Sequence, residues 1–248
     1  VERRKNWLDE YFFSIVLNLD CNFKCYYCFE KHTGEYMNDL TAKRIITMIQ
    51  SNSTKMKKLS IDWYGGEPLL SFPRLKTLNN AIEEICFSGG IEYGFSITTN
   101  GYLLSQDVIR YLKNHSLRYL QIIVDGPAHT HNKSRILKNG DPTFDVIMRN
   151  IKNAVDAGIT IMVRVNITKE NVDYVPRLYE FMEKEGLKNK LYLRLKPVVS
   201  APANPCGHRC LTESVLGLKM TNTYCIAAGN GWVIFPYVDN LQCMGFCI

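Results

Sequence analysis

Two hydrophobic periods alternate along this chain. Compact apolar runs from Phe12 to Leu19, Leu59 to Trp63, Gly94 to Thr99, Tyr119 to Val124, Ile159 to Ile167 and Leu191 to Leu195 read as strands. Between them the apolar positions fall on one face of a helix. Ala42, Ile45, Ile46 and Ile49 form the first such face, with Thr41 as the expected N-cap. A second helix is expected from Pro73 to about Cys86 and a third from Ser105 to Asn114. Phe144, Ile147, Ile151, Ala154 and Val155 line a fourth, and Tyr174, Leu178, Phe181 and Met182 a fifth. Strands alternating with helices make a parallel sheet with crossover helices, and the first run is apolar on both faces, as buried parallel strands are. The units fall short of a closed (β/α)8 barrel. From Val198 the repeat stops and a Pro-, Gly- and Cys-rich stretch begins. The expected organisation is therefore an α/β barrel-like domain over residues 1–197 and a small appendage over 198–248.

Composition narrows the classes. The chain has 248 residues, 46% of them hydrophobic, enough to bury a sizeable core. No apolar run is long enough to span a membrane, so no membrane partner is expected. The first residues, Val1 to Trp7, lack the apolar centre of a signal peptide, and the expected compartment is the cytoplasm. A formal charge of +6 without a Lys/Arg-rich block interleaved with aromatics predicts a solvated surface and no nucleic-acid partner. Nine cysteines, an odd number, suggest metal binding over a disulfide framework.

Three of those cysteines stand together. Cys21, Cys25 and Cys28 have the spacing C-x3-C-x2-C in a short stretch directly after the first apolar run. Thiolates are the usual ligands of iron–sulfur clusters, and a 4Fe–4S cluster has four irons to satisfy. Three thiolates leave one iron open for chemistry. The bland alternative is structural zinc, with His32 as fourth ligand.

The stretch Cys21-Asn22-Phe23-Lys24-Cys25-Tyr26-Tyr27-Cys28-Phe29 resembles the signature loop of the radical S-adenosylmethionine (SAM) enzymes, with aromatic Tyr27 before the third cysteine. That resemblance implies an open six-stranded partial barrel. It also implies a 4Fe–4S cluster whose open iron takes the amino and carboxylate groups of SAM, and a 5′-deoxyadenosyl radical that abstracts hydrogen from a substrate. The cofactor carries the hard chemistry and the protein supplies placement.

Further motifs follow the strands, where parallel arrays carry their sites. Gly65-Gly66-Glu67-Pro68, after the second strand, resembles the family segment that receives the SAM amino group; an ordinary glycine turn is the plain alternative. Thr98-Thr99-Asn100-Gly101 is similar to a family segment, and Thr99 and Asn100 could meet the ribose or carboxylate of SAM. Asp125-Gly126-Pro127 ends the fourth strand as in the family, but the serine or threonine that many relatives place in that strand is replaced here by Ile123 and Val124. Arg135 matches a family arginine and could supply the carboxylate contact instead. His129 and His131 read as loop residues. Arg164, inside the apolar fifth strand, needs an anionic partner, either the SAM carboxylate or a neighbouring acid. Arg194 poses the same question, and Leu195 resembles an adenine-packing position. Cys86, on an apolar helix, reads as core.

Cys206, Cys210, Cys225, Cys243 and Cys247 remain after the barrel. They resemble the SPASM or twitch subdomain, which holds auxiliary iron–sulfur clusters in radical SAM enzymes that act on peptides and proteins. At least one auxiliary cluster is implied. The resemblance implies a maturase that modifies a ribosomally made precursor peptide by thioether or carbon–carbon crosslinking or epimerisation, with a flavodoxin or ferredoxin as reductant. A second reading is a formylglycine-forming sulfatase maturase, with Asp125 or Asp239 as base. A third, of another class, is a non-catalytic iron–sulfur or zinc protein that binds partners or moves electrons.

Overall fold

The computed structural model describes residues 9–198 and 231–234. In chain order the elements are β1 (Glu10–Val16), α1 (Asp39–Asn52), β2 (Lys58–Tyr64), α2 (Phe72–Gly89), β3 (Glu92–Thr99), α3 (Gln106–Lys113) and β4 (Leu117–Ile123). There follow α4 (Ala128–Ser134), α5 (Phe144–Asp156), β5 (Ile161–Ile167), α6 (Val175–Lys184), β6 (Leu191–Pro197) and β7 (Gly231–Ile234). The sheet order is β6-β5-β4-β3-β2-β1-β7, and every pairing is parallel.

Strands β1 to β6 lie in sequence order, so each crossover steps the same way. Right-handed crossovers then put their helices on one face of the sheet, and among the described residues the other face carries no crossover helix. Alternate residues of each strand serve the two faces. Leu59, Ile61 and Trp63 of β2, Phe95 and Ile97 of β3, and Ile161, Val163 and Val165 of β5 are at most 1% exposed and join the core beneath the helices. The residues alternating with them are polar except Met162: Ser60, Asp62 and Tyr64, then Ser96 and Thr98, then Arg164 and Asn166. The six parallel strands of the expected open α/β sheet are present, and a seventh is added beside β1.

Helix α4, which carries His129 and His131, stands where the sequence reading expects a loop, and three further details differ from that reading. Helix α1 starts at Asp39 and is capped by Asn38, whose Oδ1 accepts the Thr41 N–H at 2.8 Å; Thr41 lies inside the helix. The first strand ends at Val16, because residues 17–19 turn away to form the start of the cysteine loop. A seventh strand, β7, lies within the segment where the repeat was expected to have stopped, and pairs with β1 from Phe12↔Gly231 to Ile15↔Ile234. The expected core position of Cys86 holds: it is 1% exposed on α2. Among the described residues no helix is long and apolar enough to cross a membrane.

Candidate functional site

The motifs singled out in the sequence gather beyond the carboxyl ends of β1 to β5. Leaving β1, Leu17 still donates its N–H to Tyr64 O at 3.0 Å. Asn18, fully buried, then donates to Glu67 O at 3.0 Å and Ser71 Oγ at 2.8 Å, which ties the root of the cysteine loop to the loop after β2. The far side is pinned by the segment after α4. Lys24 N–H donates to Ile136 O and Lys138 N–H to Asn22 O, each at 2.9 Å, while Lys138 Nζ reaches Asp20 Oδ1 at 2.7 Å.

Cys21, Cys25 and Cys28 are free thiols, buried, half-buried and exposed in turn. Burial pushes the Cys21 thiol up to about 12 and raises Cys25 and Cys28 as well, while the Arg135 guanidinium acts in the opposite direction on all three. Thiols held protonated by burial give up their protons when a cationic metal centre arrives. Cys21 Sγ also accepts the Phe23 N–H at 3.4 Å and the Asn100 amide at 3.8 Å, donors that suit a thiolate. This donor set fits an iron–sulfur cluster. For zinc, His32 would have to join it: its Nε2 lies 3.6 Å from Cys28 Sγ, at hydrogen-bond range. Among the described residues no three His, Cys, Asp or Glu side chains form a group that could hold a single metal ion.

The Gly65-Gly66-Glu67-Pro68 segment closes on the cysteine loop itself. A Cβ on Gly66 would stand 2.2 Å from Asp20 O, and one on Gly65, at φ +154°, 2.8 Å from Asn18 O. Gly66 N–H bonds Asn18 O at 3.1 Å and Glu67 N–H bonds Asp20 O at 2.7 Å. The glycines are thus required by the approach of two backbones, and any ligand is a second customer of the same space. Glu67 is fully buried, and burial raises its pKa against three opposing donors. Its Oε1 accepts from Leu69 N at 2.9 Å and Thr99 Oγ1 at 2.7 Å, and its Oε2 from Asn100 N at 2.7 Å. Pro68 starts the turn that follows. Asn100 completes the bracket by donating to Asn22 Oδ1 at 2.8 Å.

Tyr27 is the centre of a second network. Its hydroxyl donates to Asp125 Oδ2 and accepts from Arg135 Nη1 at 2.8 Å and Asn166 Nδ2 at 3.2 Å. Asp125 also accepts the Asn166 N–H at 2.9 Å, so both of its carboxylate oxygens are engaged. Burial raises the Asp125 pKa, and Arg135 opposes it. Arg135 is 4% exposed; burial works against its charge, and Tyr27, Cys25 and Asp125 more than offset that. The guanidinium lies 5.5 Å from the Phe23 ring centroid, and its Nε is buried without a partner. An unsatisfied donor on a buried cation is costly unless an acceptor arrives.

His131, expected in a loop, is fully buried on α4. Its Nδ1 accepts the Asp125 N–H at 3.2 Å and its Nε2 pairs with Thr143 Oγ1 at 3.1 Å. That hydroxyl donates to Arg135 O at 2.6 Å, so His131 and Thr143 together fix the backbones of both Asp125 and Arg135. Asn171 does similar work, donating to Asp125 O and Asn166 O at 3.0 and 2.8 Å. Their signal in sequence was only a short polar residue near a motif.

Glu30, missed in the sequence, reaches the Tyr64 hydroxyl; burial pushes its carboxyl up to about 7, and its Oε2 is buried without a partner. Arg164 is half-buried, with Nε donating to Asn166 Oδ1 at 2.8 Å. Leu195, paired with Val165 across β5 and β6, packs with Leu191 and Leu193 against the hydrophobic core. Cys206, Cys210, Cys225, Cys243, Cys247 and Asp239 lie outside the described residues.

Comparison with known proteins bears on this geometry. The family model for the Radical SAM superfamily matches residues 15–182. An Fe-coproporphyrin III synthase of Methanosarcina barkeri is 26% identical over 71% of this chain and 41% of its own length. A serine-type anaerobic sulfatase-maturating enzyme of Bacteroides thetaiotaomicron is 24% identical over 72% of this chain and 44% of its own. The chain thus spans under half the length of both. Two solved structures share the fold. One is anSMEcpe with bound AdoMet and Kp18Cys peptide, at TM-score 0.66 and 20% identity over 76% of this chain and 52% of that one. The other is Streptococcus suis SuiB bound to precursor peptide SuiA, at TM-score 0.56 and 15% identity over 94% and 60%.

Proposed function

Because this chain belongs to the Radical SAM superfamily, we propose that it is part of a maturase that modifies a peptide or protein substrate by hydrogen abstraction. The family implies a 4Fe–4S cluster and SAM. When bound, that pair supplies a one-electron cleavage that yields a 5′-deoxyadenosyl radical. Cys21, Cys25 and Cys28 would hold the cluster as thiolates, each releasing its proton to solvent on binding.

The chain's own groups then divide the work of placement. Arg135 is the proposed partner of the SAM carboxylate, and the observation that carries this is its buried Nε with no acceptor. Phe23 and Tyr27 hold the guanidinium in place, and Asp125 holds the Tyr27 hydroxyl. Gly65, Gly66 and Pro68 would present backbone carbonyls to the SAM amino group, while the Glu67 carbonyl is taken by Asn18 and Leu70 and its side chain is the bracket that fixes Thr99 and Asn100. A peptide substrate is supported by the two structural neighbours, both solved with bound peptides, and by the sulfatase-maturating relative. A precursor peptide, an auxiliary cluster on the tail cysteines and a small redox protein as electron donor belong to the same proposal.

The sulfatase-maturating relative favours a second reading, formylglycine formation. That reaction needs a proton acceptor. Asp125 suits it poorly, because both of its oxygens are already engaged.

The test is anaerobic reconstitution with iron and sulfide, reduction and addition of SAM. The expected result is 5′-deoxyadenosine from the wild-type chain and none from Cys25→Ala. A reduced, iron-loaded chain that neither binds nor cleaves SAM would mark it as an electron carrier.

A further inference from the structure

The open face of the sheet carries two arginines side by side. Arg164 of β5 and Arg194 of β6 are register partners, so their side chains leave the same face of adjacent strands. Directly opposed like charges destabilise a sheet unless something offsets them. Among the described residues no acidic side chain forms an ion pair with either. Of the acids on this side, Asp62 accepts from Ser96 Oγ at 2.8 Å and Asp125 is taken by Tyr27 and Asn166, while Glu30 holds the Tyr64 hydroxyl with its other oxygen unpartnered and forms no ion pair with either arginine.

Arg164 joins the Tyr27 network through Asn166, whose Oδ1 accepts from Arg164 Nε at 2.8 Å, while Arg194 lies one strand further out. Arg135 acts on the charge of all three loop thiols. Arg164, by contrast, is lowered first by burial; Tyr64 and Arg194 act on it next, with Tyr27 and Asp125 following. Arg164 is half-buried and Arg194 exposed on the outermost strand, so the pair runs from the interior of the partial barrel to its open rim. Tyr192, two residues before Arg194 on the same face, is 66% exposed.

We propose that Arg164 and Arg194 form an anion subsite that receives the carboxylate of an acidic side chain of the peptide substrate at the open rim of the barrel. Two planar forks can take a carboxylate's two oxygens together, which one flexible ammonium cannot do. The subsite deepens the maturase reading and rests on it. It predicts that the residue modified lies within a few positions of an acid.

The test uses the full chain, reconstituted and loaded with SAM. It is mixed with a pool of randomised octapeptides, and the retained peptides are sequenced by mass spectrometry. Asp and Glu should be enriched over Asn and Gln by about tenfold at one position, and Arg194→Gln should bring the ratio to about one. Arg164→Gln should do the same, and Arg194→Lys should keep an intermediate preference. SAM binding, measured on the same samples, should be unchanged in Arg194→Gln. No acid preference, a preference that survives in Arg194→Gln, or tighter binding of inorganic pyrophosphate than of the selected acidic peptide would each overturn the subsite. Loss of SAM binding in the wild-type chain would instead overturn the maturase reading beneath it.

Discussion

The two faces of this sheet are built from alternate residues of the same strands, yet they share almost no chemistry. Towards the helices stand Leu59, Ile61, Trp63, Phe95 and Ile97, all essentially inaccessible. Burying each such side chain stabilises the fold by about 1.5–3 kcal/mol. On the open face, one residue away, Ser96 Oγ bonds Asp62, Gln121 bonds Thr98 Oγ1 at 3.3 Å, and Arg164 bonds Asn166. A fold that covers one face only can keep its stability there and leave the other polar, ready for a charged cofactor and its substrate. The division also means that substitutions on the two faces should fail in different ways.

The largest contrast is expected at the cysteine loop. Cys25→Ala should hold no SAM-responsive cluster and lower 5′-deoxyadenosine formation by more than about a thousandfold, while its thermal unfolding stays near wild type without metal. Trp63→Ala should do the reverse. It removes a fully buried ring and the bond from its Nε1 to Asn79 Oδ1, and should cost about 3–5 kcal/mol in urea unfolding. Protein that remains folded should still cleave SAM. Equal loss of stability in both variants would break the division.

Glu67→Gln probes the seam between the faces. The amide keeps one acceptor oxygen and turns an NH2 towards donors that the carboxylate satisfied, so stability should fall by about 1–3 kcal/mol and SAM affinity should fall with it. Tyr27→Phe should be milder in stability and show chiefly as SAM binding weakened by about tenfold, because Arg135 loses the hydroxyl that orients it.

A further effect concerns pH. Burial pushes Asp62 up to about 6 from its ordinary 3.8, so the folded chain keeps a proton that the unfolded chain has released. The stability this gives is complete below about pH 3.8 and is lost as pH rises through about 6. Unfolding followed between pH 4 and 7 should therefore show a slope that Asp62→Asn flattens. An unchanged slope would place that carboxyl in freer contact with water.

Much of this arrangement was legible beforehand, for identifiable reasons. The six strands announce themselves as apolar runs separated by helical periods, and sequence order then determines which face is left open. The cysteine triad, Glu67 and Arg135 stand in motifs with fixed spacing, and they come together at one end of the strands. Asn18, Glu30 and His131 were not legible in their roles, because those roles arise from contacts that folding makes. Asn18 meets Ser71 from 53 residues away, a distance no local period encodes. Strand β7 is four residues long and lies in a Cys- and Gly-rich stretch, so its pairing with β1 left no periodic trace. The N-cap moved from Thr41 to Asn38 because the asparagine amide oxygen reaches the Thr41 N–H.

The central claim is that three thiolates hold a cluster whose remaining iron is open to SAM. It is tested most directly by electron paramagnetic resonance of the reduced, reconstituted chain with Cys206, Cys210, Cys225, Cys243 and Cys247 replaced by alanine, recorded with and without SAM. The account predicts a 4Fe–4S signal that changes on adding SAM and is missing after Cys21→Ala. A signal indifferent to SAM, or zinc in place of iron in the purified chain, would contradict it.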